Sequence, residues 1–564
     1  MWQQNYAPIA GSLGASAAVA AIPIVALLVL LGALRKPAWV AALVALASAF
    51  VVALAVYKMP PSLAVASALY GAATGMFPIA WLVFTAIMMY RLILDAGLFE
   101  TIKDSIGGLT SDRRLQALFI AFAFGAFIEG ASGFGSPVAI TAAMLAGLRF
   151  PPFFAAGICL LANTAPVAFG SLGIPVTTLA AVTGLPLPAV SAMVGRLCAM
   201  ISVVIPAYLV VVMSGRARAR EVLPAIVACG VAFAGTQFLV SNFLGPELTD
   251  ILSSLAAIVV LVALLRAWTP PTVMRLDGEA PAEAVTRHPP GAIFRAWGPY
   301  LLLVAFVVVW GVPSFKLGLN KFTDSLLPSW MPTVGTAGAK TAAQLNRLRV
   351  PGLHELVTQM PPIRAKPTPY AALWEWNWLA TSGTACLLAI LAAALLLRLP
   401  ARMVWKAYVD TLRQLRLALL TIASMLALAF LMNYSGMTST MGLALAGTGA
   451  LFPFFSAVVG WLGVFLTGSD TSANALFGNL QVVTARALGL NPVLTASVNS
   501  AAGVVGKMIS VQSIAVAVAA TGMSRDDESR LFRFTIKHSV LLMLVMALFS
   551  LLYTYLLPGL VPRA

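Results

Sequence analysis

Two stretches of the chain set acidic and hydroxyl side chains among glycines in otherwise apolar surroundings. The first reads Glu129-Gly130-Ala131-Ser132-Gly133-Phe134-Gly135-Ser136-Pro137, the second Thr467-Gly468-Ser469-Asp470-Thr471-Ser472-Ala473-Asn474. Glycine permits a tight reversal, and backbone amides freed at a helix N-terminus form a ready anion site. A small carboxylate is the natural guest. Gly130, Ser132, Gly133 and Ser136 would hold it from the first stretch, and Gly468, Ser469, Thr471 and Ser472 from the second. Further on, Asn163-Thr164 and Asn499-Ser500 offer amides and hydroxyls that can contact a carboxylate or a hydroxyl without fixed charge. The same groups can equally serve to hydrogen-bond neighbouring helices.

What these residues can do depends on the elements that carry them, and composition defines those. Of 564 residues, 60% are hydrophobic and 10% charged, against roughly 45–50% and 25% in globular proteins. So few charges cannot cover a soluble protein of this size, which excludes soluble enzymes, secreted proteins and disordered chains and leaves a polytopic membrane protein. Cys159, Cys198, Cys229 and Cys386 all lie in apolar runs, so neither a disulfide framework nor a metal site is expected. His288, His354 and His538 lie in polar loops or at a segment edge and form no cluster, and no cofactor is expected. Gly503 to Lys507 lacks the spacing of a phosphate loop. Phe134 stands where a nucleophile elbow needs its last glycine, which leaves an enzyme little support. The N-terminal residues lack the basic region of a cleavable signal.

A span needs about 20 largely apolar residues. Candidates lie near 15–34, 38–56, 66–94, 153–171, 189–213, 222–241, 248–266, 297–312, 373–397, 416–433, 493–519 and 539–557. Two further stretches, 115–148 and 454–487, are too long for one span and are broken by the polar glycine-rich sequences. Read as hairpins that enter and leave on one face, they bring most Lys and Arg to one side, including Arg113, Arg114, Arg216, Arg218 and Arg220. The +16 net charge then marks a cytoplasmic face and implies no nucleic acid. The expected fold is all-α, with about 12 transmembrane helices plus two re-entrant hairpins and both termini outside. A cytoplasmic linker is expected at 268–296 and an external loop at 313–372, either a small subdomain or irregular.

The two broken stretches also resemble each other. Gly130 can be laid on Gly468, Ser132 on Asp470, Gly97 on Gly436, Asn163-Thr164 on Asn499-Ser500, and Ser171 on Lys507. The order of the matched blocks points to an inverted repeat, which in transporters places paired broken elements around a substrate site at the bilayer midplane. The domains expected are N-terminal scaffold helices at 1–60, a first repeat at 61–185, central helices at 186–400, a second repeat at 401–521 and a C-terminal helix at 522–564.

Charges inside a membrane are costly, so each is a functional-site hypothesis by default. Glu129 and Asp470 are candidate proton carriers, and Asp95 is a third or else a solvated residue near the end of its span. Lys507 either attracts an anionic substrate or pairs with Asp470 or Glu129. Arg196 and Arg91 are charge partners, with Arg91 free to snorkel to the inner face.

At these residues the chain resembles the bacterial lactate permease family, through EGASGFGSPVAI (Glu129–Ile140), GSLGIPVTTLA (Gly170–Ala180) and GSDTSANALFGNLQ (Gly468–Gln481). Members take up L-lactate, D-lactate and glycolate by proton symport, so the resemblance implies a secondary transporter of small 2-hydroxymonocarboxylates in the bacterial inner membrane. The family belongs to a wider ion-transporter superfamily, in which some members slide a mobile domain against a scaffold, as an elevator. A sodium-coupled carboxylate carrier or a cation/proton antiporter of that superfamily is the alternative. Lys507 could also stand where sodium-driven relatives bind their ion. The expected partners are substrate, protons and lipid. The oligomeric state stays open, a homodimer among the options.

Overall fold

The computed structural model describes residues 1–133, 135–275, 288–327, 345–524 and 526–563. Among them, 12 helices are long and apolar enough to cross a membrane, and one further pair, Pro152–Ala162 with Val167–Thr183, is bent by 65° at its break. Many of these helices carry proline at their first or second position, as at Pro61, Pro152, Pro188, Pro224, Pro290 and Pro492. There the missing N–H has no intrahelical partner to lose, and the fixed φ suits a helix start. Gly184, Gly436 and Gly468 close their helices in the left-handed conformation, which terminates a helix at little cost only for glycine.

The total of 12 agrees with the sequence reading, but the membership differs. The 153–171 candidate falls on the bent pair Pro152–Ala162 with Val167–Thr183, interrupted from Asn163, which would be a thirteenth span if the pair crosses as one. The 373–397 candidate shortens to Ser382–Leu396, while Leu373–Glu375 forms a strand. Tryptophan raised the apparent span propensity there, whereas Trp374 and Trp376 instead pack against Phe77 in the loop. Conversely, Arg113–Ala131 is long enough to count as a span of its own, with its apolar window entirely buried. The 268–296 linker ends early, since a helix starts at Pro290, and its residues 276–287 lie outside the described set. The 313–372 loop opens with the helix Pro313–Ser325, and its residues 328–344 are likewise outside the description.

Residues that the charge reading places on one face meet one another. On the face it assigns to the exterior, Trp2–Gln3 pairs in parallel with Val357–Gln359, which pairs antiparallel with Thr368–Pro369; Arg347–Arg349 pairs antiparallel with Leu373–Glu375. On the basic side, the fully buried Arg114 binds Asp112 and Glu221, each at 2.7 Å, and the Thr272 carbonyl at 2.8 Å. The Thr272 hydroxyl and the Arg114 guanidinium hold the Glu221 carboxyl below the usual carboxylate range. Asp112 also caps the Arg113–Ala131 helix through the amides of Arg114 and Leu115. This anchors the base of the first hairpin, whose return arm is Ser136–Gly147. The second hairpin consists of Phe452–Thr467 and Asp470–Ala487.

Candidate functional site

The tips of the two hairpins converge on one short helix, Val511–Ala520. A Cβ on Gly468 would lie 2.7 Å from Gln512 Oε1, and one on Gly135 would lie 3.8 Å from Val516. Gln512 and Val516 are four residues apart and so share a face of that helix. The first hairpin also rests on the turn Ser171-Leu172-Gly173, three consecutive residues with positive φ. Ser171 Oγ donates to the Ser132 carbonyl at 2.8 Å. Two non-glycine residues in this conformation mark a turn over-determined by its surroundings, as functional sites often are.

Glu129, in the last turn of the first hairpin's leading arm, is buried. Its Oε1 receives Lys507 Nζ at 2.9 Å, and its Oε2 receives Asn163 Nδ2 at 2.9 Å. Gly170 backs the carboxylate so closely that a Cβ there would lie 2.6 Å from Oε1. Lys507 closes the helix Pro492–Lys507, which also carries Ser500 and Gly503 at the helical spacing that gives all three one face. Along that face lies Asp470. Ser500 Oγ donates to its Oδ2 at 2.6 Å, and Asn474 Nδ2 donates to the same oxygen at 3.3 Å. Gly503 leaves room for Oδ1, which a Cβ would approach to 2.7 Å; this oxygen is buried with no hydrogen-bond partner. Asp470 lies within electrostatic reach of both Lys507 and Glu129.

From Asp470 the network continues inward. Asn474 Nδ2 donates to Ser500 Oγ and to the Pro175 carbonyl, Asn499 Nδ2 donates to Asn474 Oδ1, and Gln481 Nε2 donates to Asn499 Oδ1. Asn163 and Asn499 thus both enter the site, but from different backbones. Asn163 ends a helix at its break, while Asn499 sits inside a continuous helix that breaks only after Lys507. Thr164 Oγ1 is buried at the first break without a partner.

The remaining expected residues fall into two groups. Gly468, Ser469, Thr471, Ser472 and Ser136 are half-buried at the tips. The amides of Ser132, Gly133 and Ser136 and those of Gly468, Ser469 and Ser472 are engaged within their own hairpins. In this conformation those amides are taken, and the cation of the cluster is Lys507, itself bound to Glu129. Arg91, Asp95 and Arg196 are not brought to the site. Asp95 binds Lys406 at 3.1 Å and Arg91 at 3.7 Å in a partly exposed cluster with Asp410. Arg196 reaches Asn242 Oδ1 at 3.0 Å and the Leu560 carbonyl rather than a carboxylate.

Sequence reasoning missed two contributors. Gln481 ends the GSDTSANALFGNLQ string, about three helical turns beyond Asp470, and was assigned no role of its own. Asp250 was absorbed into the edge of the 248–266 span. It is the second residue of the helix Thr249–Ala267, is buried and packs on Gly130 beside Glu129. The rule that an intramembrane acid is a functional candidate would have found it.

A bundle of long apolar helices, with a buried lysine set between carboxyls from two facing hairpins, defines a membrane transporter rather than an enzyme. The chain belongs to the L-lactate permease family, whose pattern matches residues 16–557. It is similar to the L-lactate permease of Bacillus subtilis (strain 168), with 46% identity over the full length of both chains. It is likewise similar to the L-lactate permease of Escherichia coli (strain K12), at 42% identity over the full length of both. The glycolate permease GlcA of the same organism is 43% identical over 99% of each chain. Among solved structures, the Alcanivorax borkumensis YdaH transporter aligns with 86% of this chain and 87% of its own at 14% identity and a TM-score of 0.41. The protein is a multi-pass permease of the bacterial membrane.

Proposed function

We propose that this protein imports lactate and related small 2-hydroxymonocarboxylates such as glycolate with a proton, and that Glu129 and Lys507 couple the two. The observation that carries the reading is the buried ion pair at 2.9 Å. One ammonium at this place can satisfy one carboxylate, either that of Glu129 or that of the substrate. Protonating Glu129 releases Lys507 Nζ, and the substrate carboxylate takes its position, with Asn163 Nδ2 placed to donate to it.

The charge balance then enforces symport. With Asp470 in the same state throughout, the empty site pairs Glu129 as carboxylate with Lys507 as ammonium, and that pair is neutral. The loaded site holds protonated Glu129, the ammonium and the substrate anion, and is neutral too. Substrate without a proton, or a proton without substrate, leaves one uncompensated buried charge, which costs several kcal/mol. Such half-loaded states are poorly populated, so proton and anion cross together. Asp470, held by Ser500 and Asn474 a turn away, adds a second carboxyl to the same field.

The wider reading is an elevator in which the two hairpins form re-entrant parts of inverted repeats at 61–185 and 401–521, set against helices of 1–60, 186–400 and 522–564. Gly97 and Gly436 support it. Each follows a long helix, adopts positive φ and starts a short one, Leu98–Gly107 or Met437–Leu445. The test of function is lactate uptake in vesicles. An imposed inward pH gradient should raise it, and equal uptake driven by sodium alone would favour the sodium-coupled alternative and overturn proton symport.

A further inference from the structure

We propose that Asp250 is a second proton-binding carboxyl of the transporter, the one that receives the proton from the external side and passes it to Glu129; this rests on the proton-symport reading. Asp250 is 1% exposed, and neither of its side-chain oxygens has a hydrogen-bond partner. An ionised carboxylate in that condition is strongly disfavoured, having neither water nor a donor to solvate it. A carboxyl that holds its own proton avoids that cost.

Its neighbours give the proton a destination. A Cβ on Gly130 would lie 2.8 Å from Asp250 Cβ, so glycine at 130 is what lets Asp250 lie against the first hairpin, one residue from Glu129. The titratable groups in electrostatic reach are Glu129 on the hairpin, Lys507 on its helix and the Cys198 thiol on Leu187–Ser202. The helix Leu223–Phe243, packed along the one that carries Asp250, brings a single titratable side chain, Cys229, about four turns from the connecting loop. Gly170–Thr183 brings none.

The same surroundings give the proton an entrance. The loop that precedes Asp250 lines a cavity of about 260 Å³, together with Ser241, Lys316 and Ser382; its own carboxyl there is Glu247, whose Oε1 accepts from Ser382 Oγ at 3.0 Å. The charge-based topology puts this cavity on the external face. Its Pro246 sits on Gly173, where a Cβ would come within 2.7 Å, and so on the turn that holds Ser132. Asp250 thus stands between the external cavity and the ion pair. In the step proposed, the proton leaves an Asp250 oxygen and binds a Glu129 oxygen, which frees Lys507 for the substrate anion. Asp250, now a carboxylate, regains a proton from the cavity.

The experiment uses the full chain in vesicles, comparing wild type with Asp250→Asn and Asp250→Glu. Asp250→Asn is expected to lower pH-gradient-driven lactate accumulation more than tenfold while lactate–lactate exchange, which needs no net proton movement, falls less than threefold. Asp250→Glu should restore accumulation. Asp250→Asn accumulating lactate as wild type does, or losing exchange as fully as accumulation while eluting as folded protein, would overturn the proposal. Wild type failing to respond to the pH gradient would instead overturn the symport reading beneath it. Should the variants not reach the membrane, labelling of wild type with a hydrophobic carbodiimide, located by mass spectrometry, decides. Modification of Asp250 that declines as pH rises supports the proposal, and its absence at every pH that sustains transport overturns it.

Discussion

Lys507 Nζ lies 2.9 Å from Glu129 Oε1, joining residues 378 positions apart at the facing ends of two helices. Both side chains are buried, so each is the other's main compensation. Glu129 holds a second donor in Asn163, whereas the cation has no second carboxylate at bonding distance among the described residues. The pair is therefore sensitive to loss of either partner, and it changes state when one proton is added.

Replacing Lys507 with Gln should abolish lactate accumulation. It should also destabilise the protein by about 3–5 kcal/mol, because a lone buried carboxylate remains. The double replacement Lys507→Gln, Glu129→Gln should recover most of the thermal stability without recovering transport. Thermal unfolding of purified protein and uptake in vesicles measure the two effects. Normal uptake by the single variant would make the lysine structural.

Glu129→Gln should leave Lys507 permanently open to anions. Lactate binding should become nearly independent of pH and exchange should persist, while uphill accumulation driven by a pH gradient is lost. Unchanged accumulation with an unchanged pH profile would remove Glu129 from the coupling.

The sign of the pH dependence follows from the competition. In the proposed scheme a proton on Glu129 accompanies each bound anion, so apparent lactate affinity should rise as pH falls, by up to about tenfold per pH unit when one proton is taken up per anion. Isothermal titration at several pH values measures the slope. Affinity that rises with pH would contradict the scheme.

Gly170→Ala and Gly503→Ala add a methyl group 2.6 Å from Glu129 Oε1 and 2.7 Å from Asp470 Oδ1, respectively. Each should displace its carboxyl and cost about 1–3 kcal/mol through overpacking. Transport should fall more than stability, visible as a lower maximal uptake rate at normal expression.

Asp95→Asn and Arg91→Ala act on a partly exposed ion cluster, where a pair contributes less than about 1 kcal/mol. Both should fold normally and keep the proton dependence of uptake. A pH profile altered in Asp95→Asn would return Asp95 to the coupling machinery.

Much of this protein is determined by local sequence. Hydropathy summed over about 20 residues decides membrane residence whatever the partners, and glycine with polar neighbours inside an apolar run marks a hairpin tip. The cost of an intramembrane charge singled out Glu129, Asp470 and Lys507 before any contact was known. Partner choice is different, because it depends on which distant helices lie side by side. Tertiary packing decided that Lys507 binds Glu129 rather than Asp470, that Arg196 binds an amide and a carbonyl rather than a carboxylate, and that Asp95 and Arg91 stay at the edge. It also turned Asp250 from a span boundary into a buried acid against Gly130. An isolated segment cannot specify such pairings, since the energy of a buried charge is set by the groups that other segments bring to it.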